Sequence, residues 1–318
     1  MLVNTLSMIG PSATPPASPA EQHPLRAALA LGDRLLARNV DALETQLLAE
    51  DRALLSEAIV FQVQGMIAAL ARELIGPLPQ AKAASFDNLG AKLIHEQAIR
   101  AHCHAIALEW RLSRYLEATI ALDPVLSPTL RERVGDPDQS KASAAMAVLS
   151  AQSRFTQSQR RMELALTELP AELFHLALVL TREVAGEYGT EIARSREASL
   201  RSDYNEATGR LALQARLTSL LGQDSGALLD VRHAGVGLWL TALSLRTGET
   251  REQIAFSTVE PLIGRLLLTL RAAGASPAEA EAQALIVQPD AVLPRGLDEI
   301  GTREAAQWLA DARMERHI

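Results

Sequence analysis

At 318 residues the chain is long enough for two ordinary domains or one elongated array. Its apolar content of 48% is mostly Ala and Leu, with only 3% aromatic residues, so a strand-rich fold is excluded in favour of an all-helical one. A net charge of -7 gives no electrostatic reason to expect nucleic acid binding, and a single cysteine excludes an internal disulfide framework.

Residues 1 to 22 are rich in Pro, Ser, Thr and Ala and have little to bury, which predicts a disordered tail. The start MLVNTLSMIG lacks a basic leader region, so no signal peptide is expected and a cytoplasmic location follows. Helical patterning begins at His23 with PLRAALALGDRLLARN and continues through one or two helices that end at Gly76-Pro77. One long helix is expected from Phe86 to Leu122, stopping before Asp123-Pro124. Ser127 and Pro128 then start a short helix, since a serine can cap the free amides and proline suits the first turn. Two further helices follow, one in QSKASAAMAVLSAQSRFTQSQRRMELAL and one after Pro170.

The polar stretch near residues 187 to 200 is the expected boundary between an N-terminal helical domain, 23–190, and a C-terminal one, 191–318. In the second half Thr250 with Gln253, and Ser276 with Glu279, fit the capping box. Gly248 and Gly274 sit where left-handed helix stops are expected. Pro261 lacks an amide hydrogen and should break the chain near Glu260. The segment GALLDVRHAGVGLWLTALSLRTG reads as continuous helix. Its apolar part and PLIGRLLLTL are both too short to cross a bilayer, so no membrane span is expected. Short helices in succession with an Ala/Leu core predict stacked antiparallel helix pairs without a sheet.

The segment LSLRTGETREQIAFSTVEPLIGRLLLTLRAAGASPAEAEAQAL, residues 243–285, resembles the closing part of a family of uncharacterised alphaproteobacterial proteins. SPTLRERVGDPDQSKASAAMAVL, residues 127–149, has a similar look. Members of that family are all-helical and built of HEAT-like helix pairs. The resemblance covers roughly a fifth of the chain and rests on helix starts and stops. It implies a fold and no reaction, because the family has no assigned activity.

The chemistry-bearing stretch is HEQAIRAHCHAIALEW, residues 95–110. On one helix His95, His102 and Glu109 fall nearly on one line with Ile99 and Ile106, but seven residues rise about 10 Å, too far for two ligands of one ion. Packed or surface histidines are therefore expected rather than a metal site, for which His95, His102 and Glu109 would need a second helix; no cofactor is expected. The pair Glu96 and Arg100 has the spacing of a surface ion pair. Glu96 and Glu109, like Glu183 and Glu187, have the spacing of solvated helix faces. His95, His104, His175 and His233 are the positions open to a phosphotransfer histidine, and none has matching flanks. Cys103 lacks an adjacent helix start that would activate it and should be a small buried side chain. The run Arg194, Arg196 and Arg201 alternates with Glu197 and Asp203, as on a solvated face. Arg160-Arg161 and Arg131-Arg133 are read as solvated, with flanking a groove for an acidic partner as the alternative, and Trp110, Trp239 and Trp308 are expected mainly in the core.

With no catalytic motif, the expected function is a non-enzymatic protein-interaction or regulatory helical module with a protein partner. Two alternatives remain: an enzyme or small-ligand or metal-binding bundle using the 95–109 face, and a homo-oligomeric structural protein.

Overall fold

The computed structural model describes residues 23–48, 57–76, 83–186 and 190–315. Among them every regular element is helical and no strand occurs, as the Ala/Leu-rich composition requires. The first half holds α1 (Pro24–Leu48), α2 (Glu57–Ile75), α3 (Ala83–His95), α4 (Gln97–Ile120), α5 (Pro128–Val134), α6 (Gln139–Arg160) and α7 (Ala171–Gly186). The second holds α8 (Thr190–Asp203), α9 (Arg210–Leu221), α10 (Val231–Ala234), α11 (Val236–Thr247), α12 (Arg251–Ser257), α13 (Ile263–Ala272), α14 (Pro277–Val287) and α15 (Thr302–Glu315). The Pro/Ser/Ala-rich segment 1–22 lies outside the described residues.

Local punctuation sets most of these limits. Ser127 caps α5 by accepting from the Leu130 amide, with Pro128 in the first turn. Both capping boxes form: Thr250 with Gln253 opens α12, and Ser276 with Glu279 opens α14. Gly248 closes α11 in the left-handed region at φ 70°. Pro261 falls in a 3-10 turn, Glu260–Leu262, that separates α12 from α13.

Three boundaries differ from the sequence reading. The long helix expected over residues 86–122 is two helices, because Glu96 is extended at φ -74°, ψ 106°. The break is held by Arg100, whose Nη1 donates to the Ile94 carbonyl at 2.5 Å and the His95 carbonyl at 3.3 Å. Arg100 is buried, so the expected surface pair with Glu96 is instead a device that satisfies the open carbonyls at the end of α3. Second, the helix expected over 226–248 stops at Gly235, φ 75°, which separates α10 from α11. A Cβ there would stand 2.8 Å from the Ser127 Cβ, so only glycine lets the α5 cap approach. Third, α6 ends at Arg160, and Met162 turns the chain at φ 56°.

Consecutive helices pack as pairs, with α2 on α3, α5 on α6, α7 on α8, α11 on α12 and α13 on α14. Long-range packing then closes the array: α6 lies on α9, α4 on α12, and α1 on α13. One continuous hydrophobic cluster runs from Leu25 to Leu309, so the expected boundary near residue 190 does not divide two separate cores. α2 has the length and apolarity of a membrane-crossing helix, which the sequence reading overlooked; in this fold Val60, Val63, Met66, Leu70 and Leu74 of that helix are buried against other helices.

Candidate functional site

The 95–110 stretch divides when folded. His95, at the end of α3, is exposed, whereas His102 and Glu109 of α4 point into the core. Glu109 is 1% exposed, and this corrects its reading as part of a solvated face. Its carboxylate takes two bidentate arginines. Arg210 of α9 donates through Nη1 to Oε1 at 2.7 Å and through Nη2 to Oε2 at 3.2 Å. Arg251 of α12 donates through Nη1 to Oε2 at 2.8 Å and through Nη2 to Oε1 at 3.0 Å. Two planar guanidinium forks fill the acceptor sites of one carboxylate, which is the geometry that offsets the desolvation of a buried charge. Burial alone would raise the Glu109 carboxyl; the two guanidinium charges outweigh it and hold the group at about 2.

The network extends on both sides. Arg210 Nε donates to Glu168 Oε2 at 3.0 Å, and the guanidinium stacks on Phe155 with its carbon 3.6 Å from the ring centre. The His102 ring lies between Glu252 Oε1, 2.9 Å from Nδ1, and the Glu168 carbonyl, 2.9 Å from Nε2. Burial pushes the Glu252 carboxyl up, and its hydrogen bond to His102 brings it below the ordinary value. Gln214 and Thr241 complete the polar layer with the Arg251 side chain and the Gly237 carbonyl.

This layer needs a glycine. A Cβ at Gly237 would stand 2.4 Å from Gln214 Nε2 and 3.4 Å from Gln152 Oε1. Gly237→Ala should therefore lower stability by about 1–3 kcal/mol from overpacking, despite alanine's better helix propensity of about 1 kcal/mol. Chemical denaturation of the two proteins measures the difference, and an alanine variant as stable as the parent contradicts the close packing.

A second buried cluster stands on the other side of the same corner. Glu249 receives Arg265 Nη2 at 2.5 Å and Arg313 Nη2 at 2.5 Å, and Arg265 reaches Asp33 of α1 at 2.8 Å. Residues 248–252 thus send Glu249 into one network and Arg251 and Glu252 into the other.

Most of the other candidate groups are buried or paired. Among the described residues no three His, Cys, Asp or Glu side chains are grouped to hold a metal ion. Cys103 is fully buried, and burial pushes its thiol up to about 12. His104 is buried against Phe256, and desolvation, with the nearby charge of Arg111, pulls it down to about 4. Glu183 pairs with Lys92 at 2.9 Å, while Glu187 lies outside the described residues. In the 194–203 run Arg201 pairs with Glu197 on the surface, but Arg196 Nε donates to the Leu74 carbonyl at 2.9 Å and closes the end of α2.

Two surface depressions meet at the end of α6. One, of about 280 Å³, has a mixed lining of polar and apolar groups; Arg210 and Glu168 line it together with Arg154, Phe155, Ser158 and Thr167. The other is a groove of about 680 Å³ between α2, α4 and the end of α6. Its apolar lining is Ala58, Phe61, Trp110 and Met162, with Phe61 46% and Met162 43% exposed. Trp239 and Trp308 are buried, so Trp110 is the tryptophan that reaches a groove. The left-handed turn at Met162 presses its backbone toward Gly65, where a Cβ would be 2.5 Å from the Met162 Cβ. Arg160 lines this groove; Arg161 pairs with Glu163 and lines the smaller cleft instead. Arg133 pairs with Asp136.

No protein-family model, no curated protein and no solved structure matches this chain.

Sequence reasoning placed His102 and Glu109 on one face but missed their partners Glu168, Arg210, Arg251 and Glu252. A signal was present: Glu109 shares an apolar stripe with Ile99 and Ile106, so folding that stripe inward obliges the chain to supply a cation. Phe61 and Met162 of the groove carried no comparable signal.

Proposed function

We propose that this chain is a non-enzymatic helical module that docks a protein partner in the groove of Ala58, Phe61, Trp110 and Met162. The single observation that carries this reading is three large apolar side chains, contributed by three separate segments, gathered in one open groove. Grooves between packed helices accept the apolar face of a partner helix, and tryptophan is enriched among residues that dominate such interfaces. The charged groups that could perform acid-base chemistry are consumed by one another in the core, which supports binding over catalysis. A second reading, a small-ligand site, is favoured by the smaller cleft that Arg210 and Glu168 line beside the groove.

The test uses the full chain, tagged and purified gently from its native host, beside Trp110→Ala and Phe61→Asp variants. Phe61 is exposed and Trp110 half-buried, so thermal unfolding close to the parent's is expected for Phe61→Asp and a modest drop for Trp110→Ala, each checked before the comparison. Proteins co-purifying with the parent should be lost from both variants. An unchanged set of co-purifying proteins across all three overturns the groove as the docking site.

A further inference from the structure

The charge around the groove specifies the partner further, on the reading that the groove is a docking site. The chain as a whole carries a net charge of -7. The groove departs from that average: among the described residues its ionisable lining side chains are Arg114 and Arg160, and none is a carboxylate. Arg114 projects from α4 one turn beyond Trp110, with its guanidinium carbon 5.8 Å from the indole centre. It also meets Glu117 on its own helix, outside the groove lining. Arg160 comes from a different helix, at the end of α6, and its side chain makes no hydrogen bond or ion pair among the described residues.

An apolar lining with arginines contributed by two helices selects against a cationic partner as well as for an anionic one, because a like charge brought to either guanidinium is repelled. An apolar stripe spaced at i, i+3 or i+4 and i+7 would meet Phe61, Trp110 and Met162, and its flanking carboxylates would meet the guanidinium groups. Guanidinium forks are suited to carboxylates, and the stack of Arg114 toward Trp110 holds its fork beside the apolar floor. We infer that the groove takes an amphipathic helix bearing acidic residues on both sides of its apolar stripe.

The experiment uses the full-length protein and two labelled synthetic helical peptides. They share one Leu/Phe stripe; glutamates flank it in one and lysines in the other. Fluorescence anisotropy measures binding at low and at high salt. The glutamate peptide should bind roughly tenfold or more tightly than the lysine peptide at low salt, and the difference should shrink at high salt. Trp110→Ala should abolish binding of both. Arg114→Gln with Arg160→Gln should remove the preference and leave weak binding common to the two peptides.

Equal affinities, or tighter binding of the lysine peptide, with Trp110 still required, overturn the acidic partner and leave the docking groove standing. Binding that ignores Trp110→Ala overturns both. Failure of both peptides to bind overturns the acidic-helix inference, while the docking reading is judged separately by the co-purification with Phe61→Asp.

Discussion

Glu109→Gln will lower the stability of this protein by about 3–5 kcal/mol, the scale seen when one partner of a buried ion pair is removed. The amide keeps the shape of the side chain but presents one acceptor oxygen where the carboxylate presents two. Arg210, 1% exposed, and the half-buried Arg251 are then left facing each other without their shared anion. Urea unfolding followed by circular dichroism should show the loss as a lower midpoint with an unchanged slope. A loss below about 1 kcal/mol would show that solvent reaches the cluster and screens it.

The same carboxylate gives the fold an acid limit. Its pKa in the folded chain, about 2, lies below the ordinary carboxylate value of 4.5. Ionised Glu109 therefore contributes stability that is fully present above pH 4.5 and is lost as pH falls toward 2. In Glu109→Gln that part of the acid dependence should be absent, so the stability curves of parent and variant converge between pH 4.5 and 2. Parallel curves through that range would place the acid sensitivity in other groups.

The second large effect is expected at Glu249, which is also buried and also bridges two arginines. Glu249→Gln should cost about 3–5 kcal/mol on the same ground, because Arg265 is buried and keeps only Asp33. Its consequences differ in place. Arg313, on the last turns of α15, loses the Glu249 Oε1 that accepts from both its Nε and its Nη2, and has solvent within reach. Helix α15 should then exchange its amide hydrogens far faster than in the parent, while α4 and α9 retain most of their protection. Uniform acceleration throughout the chain would show instead that the two clusters stand or fall together. Replacing Arg265 by methionine together with Glu249→Leu should recover part of the loss, since removing a buried pair as a unit is milder than orphaning one member.

Legibility in the sequence followed distance along the chain. The capping boxes at Thr250 and Ser276, the stop at Gly248 and the break at Pro261 were all readable, because each depends on residues within a few positions. The break at Glu96 was not: the sequence from Phe86 to Leu122 keeps a helical period, and the chain departs from it where Arg100 folds back on Ile94 and His95. The networks were less legible still, since Glu109 is 101 residues from Arg210 and 142 from Arg251. In GETRE, residues 248–252, the local grammar of a helix start is visible, yet the same five residues place three charges in two separate buried clusters. The resemblance of residues 243–285 to an all-helical family rested on that local grammar. The groove drew on α2, α4 and the turn after α6, and a one-dimensional pattern does not show that three such segments meet.

The contact of α1 with α13 and α15 has a consequence for how the protein is made. Leu25 is buried, Arg26 lies 3.7 Å from Asp311 and Asp33 pairs with Arg265, so the first described helix finds its place only when nearly the last one exists. At translation rates of about 5–20 residues per second, the apolar face of α1 waits on the order of tens of seconds after leaving the ribosome for its partners to emerge. Through that interval α1 meets only its earlier neighbours α2, α3 and α4, and the part of its greasy stripe left open is a natural handle for chaperones and a point of risk for premature association.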